Sequence, residues 1–315
     1  MRFAGDDNRV HLGVQLGTSN VNWATLRDAA TVVEELGFDS LWIPDHLLAR
    51  EGRAPRLEAW QVLGALAALT KRIRLGPLVT PVTFRHPALL AKMAATLDHV
   101  SGGRVILGLG AGGMALEHRQ YGLAFGPVHE RAERLDEAVQ VVRSLLQAPT
   151  TSFRGRHYVV TSASAEPKPI QRRLPLLIAG SGTAAIRLAA RHAEMWNAIC
   201  LPGNLAQRIA TLRSETSAAG RAPAAVRATV SFRLIVREDA AALRARLDEL
   251  DPEWREDAYR IQGSSEDMVE VLGRYVEAGA DGLIVQMPAP FDLFTLERVA
   301  AQRARLAAAA KSERG

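Results

Sequence analysis

From residue 10 to the C-terminal stretch, the chain alternates short β-branched runs with longer amphipathic segments, and this rhythm restricts the fold more than any other feature. Strand-like runs fall at 10–16, 40–43, 73–79, 105–109, 176–179, 195–200, 229–236 and 282–286. Helix-like stretches lie between them at 23–36, 57–69, 87–100, 129–146, 184–192 and 205–219, then 240–250 with 266–278, and a last one from Phe291. Two helices close alike. Glu35-Leu-Gly-Phe-Asp39 and Glu277-Ala-Gly-Ala-Asp281 each set a glycine after the last turn, with a strand directly behind it. Strands alternating with helices pair in parallel through right-handed crossovers. Eight such units in 315 residues predict an α/β protein, a closed TIM-type (β/α)8 barrel rather than an open doubly wound sheet. No Pro/Gly/Ser-rich linker breaks the alternation, so one domain over residues 1–315 is expected. The main irregularity is 149–173. There Thr151-Ser-Phe-Arg-Gly-Arg-His-Tyr-Val-Val160 reads as a hairpin turning at Gly155, an insertion between helix 4 and strand 5 expected to lie over the barrel mouth.

Composition narrows the function classes. No apolar run approaches the roughly 18 residues of a membrane helix. The start, MRFAGDDNRV, lacks the apolar core of a secretory signal, so a cytoplasmic enzyme without a membrane partner is expected. The single cysteine, Cys200, excludes an intrachain disulfide and opposes a thiolate zinc cluster; its apolar setting reads as a buried, inert thiol. The formal charge of +5 rests on arginine, since only Lys71, Lys92, Lys168 and Lys311 are lysines. Arginine suits phosphate and carboxylate, although most of these arginines lie on Ala-rich helical faces. Aromatics make up 5% and no basic run interleaves with them, so nucleic acid is not an expected partner.

Barrels of this kind carry their chemistry on loops after the C-terminal ends of the strands. After strand 2, Trp42-Ile-Pro-Asp45-His46 places an acid and an imidazole at the mouth. An imidazole exchanges a proton near neutral pH, and a neighbouring carboxylate orients it. The plainer roles, a cap at Asp45 and packing at His46, are disfavoured by that position. Strand 3 runs into Leu75-Gly-Pro-Leu-Val-Thr-Pro81, too rich in proline and glycine for regular geometry. Beyond it Arg85 either neutralises an anion or bridges to a carboxylate, and Pro87 suits the first turn of a helix. Strand 4 ends in Gly108-Leu-Gly-Ala-Gly-Gly113, which spells a dinucleotide-binding signature. It follows the fourth unit, however, and soon reaches Gly122 and Pro127 instead of continuing as a long helix. A glycine floor for a flat ring is the better reading. Strand 5 opens through Ala179-Gly-Ser-Gly-Thr183 into a helix, suiting either a phosphate site or a simple cap by Thr183. Trp196 on strand 6 either stacks on a ligand or packs the barrel. Neither a His-Glu-x-x-His nor a nucleophile elbow is present.

Several stretches resemble the luciferase-like monooxygenase superfamily and, within it, the coenzyme F420-dependent oxidoreductases. They are Gly37-Phe-Asp-Ser-Leu-Trp-Ile-Pro-Asp-His46, Arg72-Ile-Arg-Leu-Gly76, Arg85-His-Pro-Ala-Leu-Leu-Ala-Lys92 and Ala94-Ala-Thr-Leu-Asp-His-Val-Ser-Gly-Gly-Arg104. The likeness continues through Glu117-His-Arg-Gln-Tyr-Gly122, Arg131-Ala-Glu-Arg-Leu-Asp-Glu137, Phe153-Arg-Gly-Arg-His-Tyr158 and the strand-5 glycines, covering roughly residues 10 to 200. The resemblance implies a barrel holding F420 at its mouth and passing a hydride to or from a small organic substrate. It makes His46 the catalytic histidine and Asp45 its cofactor-contacting neighbour. It also implies a non-prolyl cis peptide at Leu78–Val79 propping the ring, with Thr80, Gly108, Gly110 and Gly112 beside it. The phosphate would lie at Gly180, Ser181, Gly182 and Thr183, helped by Arg131, and the protein would be a homodimer. Reduced FMN with oxygen, in a monooxygenase, is the alternative cofactor; a flavin-binding protein without turnover is a further one. Gly113 departs from the pattern, standing where the sugar-phosphate dehydrogenases of the group carry a catalytic glutamate. Together with the scarcity of lysine, this argues against a glucose-6-phosphate-type substrate.

Overall fold

The computed structural model describes residues 10–49, 54–250 and 259–312. The wall begins with β1 (His11–Leu16), β2 (Ser40–Ile43) and β3 (Arg74–Pro77), the last continued by the short β4 (Thr80–Pro81), and then β5 (Leu107–Gly110). The β6 (Thr151–Arg154) and β7 (Val159–Ala163) hairpin intervenes before β8 (Leu176–Ala179), β9 (Met195–Ala198), β10 (Arg227–Val236), β11 (Arg260–Gly263) and β12 (Gly282–Met287). Neighbouring strands run β3-β2-β1-β12-β10-β9-β8-β5-β4, and every pairing along this path is parallel. The ring closes between β3 and β5, where Leu75 N donates to Arg104 O at 3.1 Å and Ile106 N to Leu75 O at 2.9 Å. Glycine is required at this seam. A Cβ on Gly76 would sit 1.8 Å from Ile106 O, and one on Gly108 2.1 Å from Pro77 O.

The helices surround the wall: α1 (Trp23–Glu35), α2 (Ala59–Leu69), α3 (Pro87–Ser101), α4 (Ala115–Tyr121), α5 (Val128–Gln147), α6 (Thr183–His192), α7 (Pro202–Ala218) and α8 (Ala240–Asp248). They are followed by α9 (Ser265–Glu277), α10 (Leu293–Ala301) and α11 (Arg303–Ser312). Their limits follow from side-chain chemistry. Asn22 caps α1 by accepting from Thr25 N at 2.9 Å, Pro87 opens α3, and left-handed Gly102 closes it.

Apolar burial divides in two. Trp42, Leu78, Ile106, Leu177, Met195 and Ile284 fill the lumen, while a larger cluster packs the outer faces of the strands against the helices. Each such side chain removed from water contributes about 1.5–3 kcal/mol, so the lumen is a packed core below its mouth.

Three expectations need amendment. Strand 3 is not continuous over 73–79: it stops at Pro77, and the Leu78–Val79 peptide is cis. The long segment after strand 7 contains an extra strand, β11, paired in parallel with β10. The hairpin inserted before β8 does form, but it does not cover the mouth. The N–H groups of Arg156, His157 and Tyr158 donate to Glu137 of α5, and Tyr158 OH reaches Val82 O at 3.3 Å, which fastens the hairpin to the outside of the barrel.

Candidate active site

A cavity of about 990 Å³ opens at the C-terminal ends of the strands, at the upper end of the range for small-molecule sites. His46 lines one side. Leu78 and Val79 form the adjoining wall, continued by the loop from Gly110 to Met114. Ala179, Gly180 and Ser181 stand next around the ring, and Asn197, Ser231, Arg233 and Gln286 complete it. Among the described residues no carboxylate lines this cavity.

The wall is backed by specific bonds. Gln15 of β1 donates to Leu78 O at 2.6 Å and so holds the carbonyl of the cis peptide. Gly110 lies so near Val79 that a Cβ there would meet Val79 Cγ2 at 2.6 Å. Gly108 lies outside the cavity lining, where it admits the backbone of Pro77, while Gly110 lines the cavity and also admits the Val79 side chain. Gly112 has a positive φ of 83° and turns the chain into the loop. Arg131 also stays outside the lining. It donates to Gly112 O and Gly126 O and stacks on Phe125, fixing that loop from behind.

Asp45 and His46 are adjacent in sequence but have different fates. Asp45 is 1% exposed, and its carboxylate receives Arg85 at 2.6 Å, Thr80 Oγ1 at 2.8 Å and Trp60 Nε1 at 3.1 Å. Burial pushes its carboxyl above the ordinary range, against the pull of Arg85 and Thr80. Neither Asp45 nor Thr80 lines the cavity, because both belong to this buried network behind the wall. Arg85, held also by Glu58 at 2.7 Å, is a bridge between carboxylates rather than an anion site.

His46 faces the cavity, and its Nδ1 lies 3.1 Å from Oε1 of Glu117, whose Oε2 accepts from Leu47 N at 2.9 Å. Glu117 is fully buried. Burial opposes its ionisation, yet the hydrogen bond and electrostatic pull of His46 and the backbone N–H groups of Leu47 and Leu48 prevail and hold the carboxyl below its usual range. The sequence placed Glu117 at the head of a family-like stretch but showed no sign of its pairing with His46, from which 71 residues divide it.

On the opposite flank, α6 begins at Thr183 with Gly182 as its N-cap and no side-chain capping bond. The open N–H groups of its first turn and the helix dipole favour an oxyanion beside Ser181. Gly180 and Ser181 line the cavity; Gly182 and Thr183 stand one step behind as the helix start. Arg208 donates to Ser181 O, bringing a guanidinium against this loop that the sequence did not single out. Trp196 is a packing residue, fully buried and donating to Gly180 O at 2.9 Å. Cys200 is likewise buried, and desolvation raises its thiol.

A closed parallel barrel with a histidine and a broken third strand at its mouth defines a class, and the comparisons agree: the chain belongs to the luciferase-like monooxygenase family, matched over residues 8–281. It is 32% identical over 239 residues to an F420-dependent glucose-6-phosphate dehydrogenase of Kineococcus radiotolerans, covering 73% of this chain and 69% of that protein. The protein of the same name from Microbacterium testaceum is 39% identical over 173 residues, 54% of this chain and 50% of the relative. The chain therefore spans about half to two-thirds of the length of these curated relatives. Among solved structures, an F420-dependent secondary alcohol dehydrogenase bound to an F420-acetone adduct superposes with a TM-score of 0.82 at 21% identity, covering 96% of this chain and 99% of that one. The F420-dependent tetrahydromethanopterin reductase of Methanopyrus kandleri gives a TM-score of 0.78 at 20% identity, with 93% and 97% covered. At these identities the structural likeness shows the fold.

Proposed function

We propose that this chain is an F420-dependent oxidoreductase that transfers a hydride between the deazaflavin and a small organic substrate bearing a hydroxyl or carbonyl group. The observation that carries the reading is the single cavity lining that combines His46, the cis Leu78–Val79 peptide and the Gly180–Ser181 loop. It is supported by curated relatives that are themselves named F420-dependent dehydrogenases.

The residues fit the cofactor. The wall formed by Leu78, Val79, Gly110 and Gly112 suits a flat tricyclic ring. The uncapped start of α6 at Gly182 and Thr183, preceded by Gly180 and Ser181, suits the phosphate of its tail. Asp45, Thr80, Gly108 and Arg131 support this wall from behind rather than touch the ring. When bound, a deazaflavin supplies a ring carbon that accepts or returns a hydride and reacts poorly with oxygen. The chain supplies the rest. His46 exchanges the proton of the substrate oxygen, the cavity walls hold the substrate carbon toward the ring, and the 110–114 loop excludes water.

Gly113 lines the cavity and brings no carboxylate there, so the reading stops short of a sugar phosphate as substrate. It includes one domain over residues 1–315 and a cytoplasmic location, both supported by the sequence pattern, and a homodimer, which the family resemblance suggests.

A crystal soaked with oxidised F420 tests the assignment. The ring is expected against Leu78 and Val79, with the phosphate at Ser181 and His46 at the ring's open face. A ring seated away from this wall, or a phosphate far from residues 180–183, overturns it.

A further inference from the structure

We propose that Glu117 is a positioning residue for this chemistry, holding His46 with its proton on Nδ1 so that Nε2 is the nitrogen that takes the substrate's proton. The inference rests on the function proposed above and adds a residue that never touches substrate or cofactor.

The geometry divides the labour of one carboxylate between its two oxygens. Oε2 accepts the N–H of Leu47, which fixes the backbone directly after His46, while Oε1 faces the His46 ring at Nδ1. A carboxylate only accepts hydrogen bonds, so the shared proton belongs to Nδ1 and the lone pair of the neutral ring lies on Nε2. That nitrogen belongs to the ring lining the cavity, whereas Glu117 is fully buried behind it.

The support for Glu117 is itself rigid. The neighbouring His118 lies 2.8 Å from Met114 O through Nδ1 and 2.7 Å from Thr83 Oγ1 through Nε2. Its ring is held between Phe84 and Phe125 at centroid distances of 5.1 and 4.5 Å. The short helix α4 therefore cannot swing its acid away from His46 without unpacking an aromatic cluster.

In the oxidising direction, with oxidised F420 bound, the substrate C–H bond would break and its electron pair would leave as hydride to the deazaflavin. The hydroxyl proton passes to Nε2, and the C–O bond becomes a carbonyl. His46 is then an imidazolium, and the Glu117 carboxylate facing it stabilises the charge formed in that step.

The test is a double-mutant cycle on turnover with F420 and an oxidisable alcohol, read as kcat, KM and cofactor Kd. Glu117→Gln keeps the volume and removes the charge. It is expected to lower kcat about a hundredfold, with KM and the cofactor Kd moved by no more than about twofold. In a His46→Ala background the same change is expected to cost nothing further, because its effect passes through the ring. Losses that add in the double variant, or a Glu117→Gln kcat within about threefold of wild type, overturn the inference. If His46→Ala itself retains turnover, the catalytic assignment of His46 fails instead. A second readout needs no Glu117 variant: 15N NMR of histidine-labelled wild type, with the His46 signal assigned from its absence in His46→Ala. An Nδ1-protonated neutral tautomer supports the inference; an Nε2-protonated one overturns it.

Discussion

The two ends of the barrel use their charged side chains in opposite ways. At the N-terminal end, carboxylates from the turns before β2 and β9 and from the last turn of α1 accept backbone N–H groups at or just before the strand starts. Asp39 takes Leu12 N at 2.8 Å, Glu34 takes Arg72 N at 2.7 Å and Ile73 N at 2.9 Å, and Glu194 takes Leu176 N at 2.9 Å. Arginines complete these contacts: Arg303 on Asp39, Arg143 and Arg173 on Glu194. At the C-terminal end the acids withdraw from the surface of the cavity, Asp45 into the buried network with Arg85, Thr80 and Trp60 and Glu117 behind His46. The bottom is a set of staples, and the top is a cavity whose neighbouring carboxylates stand behind its lining. Division of this kind is what the barrel permits, since strand packing fixes one end and loops shape the other.

Exchanging a charge at each end should therefore separate turnover from stability. The largest effect belongs to the mouth. His46→Ala is expected to lower kcat by about 10²–10⁴, leaving the cofactor Kd close to wild type. Because Glu117 keeps the N–H of Leu47, it should lower stability less than the base substitution below; steady-state kinetics beside a melting curve checks both. Next is the reverse case at the base. Glu194→Ala leaves the Arg143 guanidinium, only 12% exposed, with backbone carbonyls but no counter-charge and leaves Leu176 N without its acceptor. It is expected to cost about 2–3 kcal/mol of stability. Urea midpoints read that loss, while kcat per folded molecule stays unchanged. A smaller effect is expected for Gly112→Ala. It asks an L-residue to adopt φ 83° with its Cβ 2.9 Å from Thr83 Oγ1, a strain of about 1–2 kcal/mol. It should weaken cofactor binding several-fold with little change in kcat, as a fluorescence titration would show.

The smallest effect concerns pH and the base alone. Burial holds His11 at about 4 instead of 6.5, with Arg227, Arg74 and Arg303 lowering it further against Asp39. The folded state keeps this ring neutral while the unfolded chain protonates it, so its contribution is complete above pH 6.5 and is lost as pH falls toward about 4. Between those values the wild type should take up close to one more proton on unfolding than His11→Gln does, measurable as the difference in slope of stability against pH.

Much of this architecture was legible in the sequence, because parallel strands buried on both faces leave apolar runs and the intervening helices leave a different period. The mouth residues His46, Gly110, Gly112, Gly180 and Ser181 could be named from their strand ends, Leu78 and Val79 through the family resemblance, and they meet at one cavity. What escaped depends on contacts the chain order does not carry. The outward docking of the hairpin is set by Glu137 on another element. The need for glycine at 108 is set by Pro77 O across the seam, and the partnership of His46 with Glu117 spans 71 residues. Asp45 misled because an acid next to a histidine reads as its partner, whereas successive residues at this turn project into different surroundings. Strand β11 was missed because Arg260–Gly263 is a short, half-exposed run without an apolar period.

The most direct test is a spectroscopic titration of the purified protein with F420, repeated with reduced FMN under anaerobic conditions. A cavity with this wall and this helix start binds F420 at one site per chain with a dissociation constant at or below about 1 µM, corresponding to roughly 8 kcal/mol, and reduced FMN does not displace it. Tight binding of reduced FMN together with no binding of F420 would contradict the assignment.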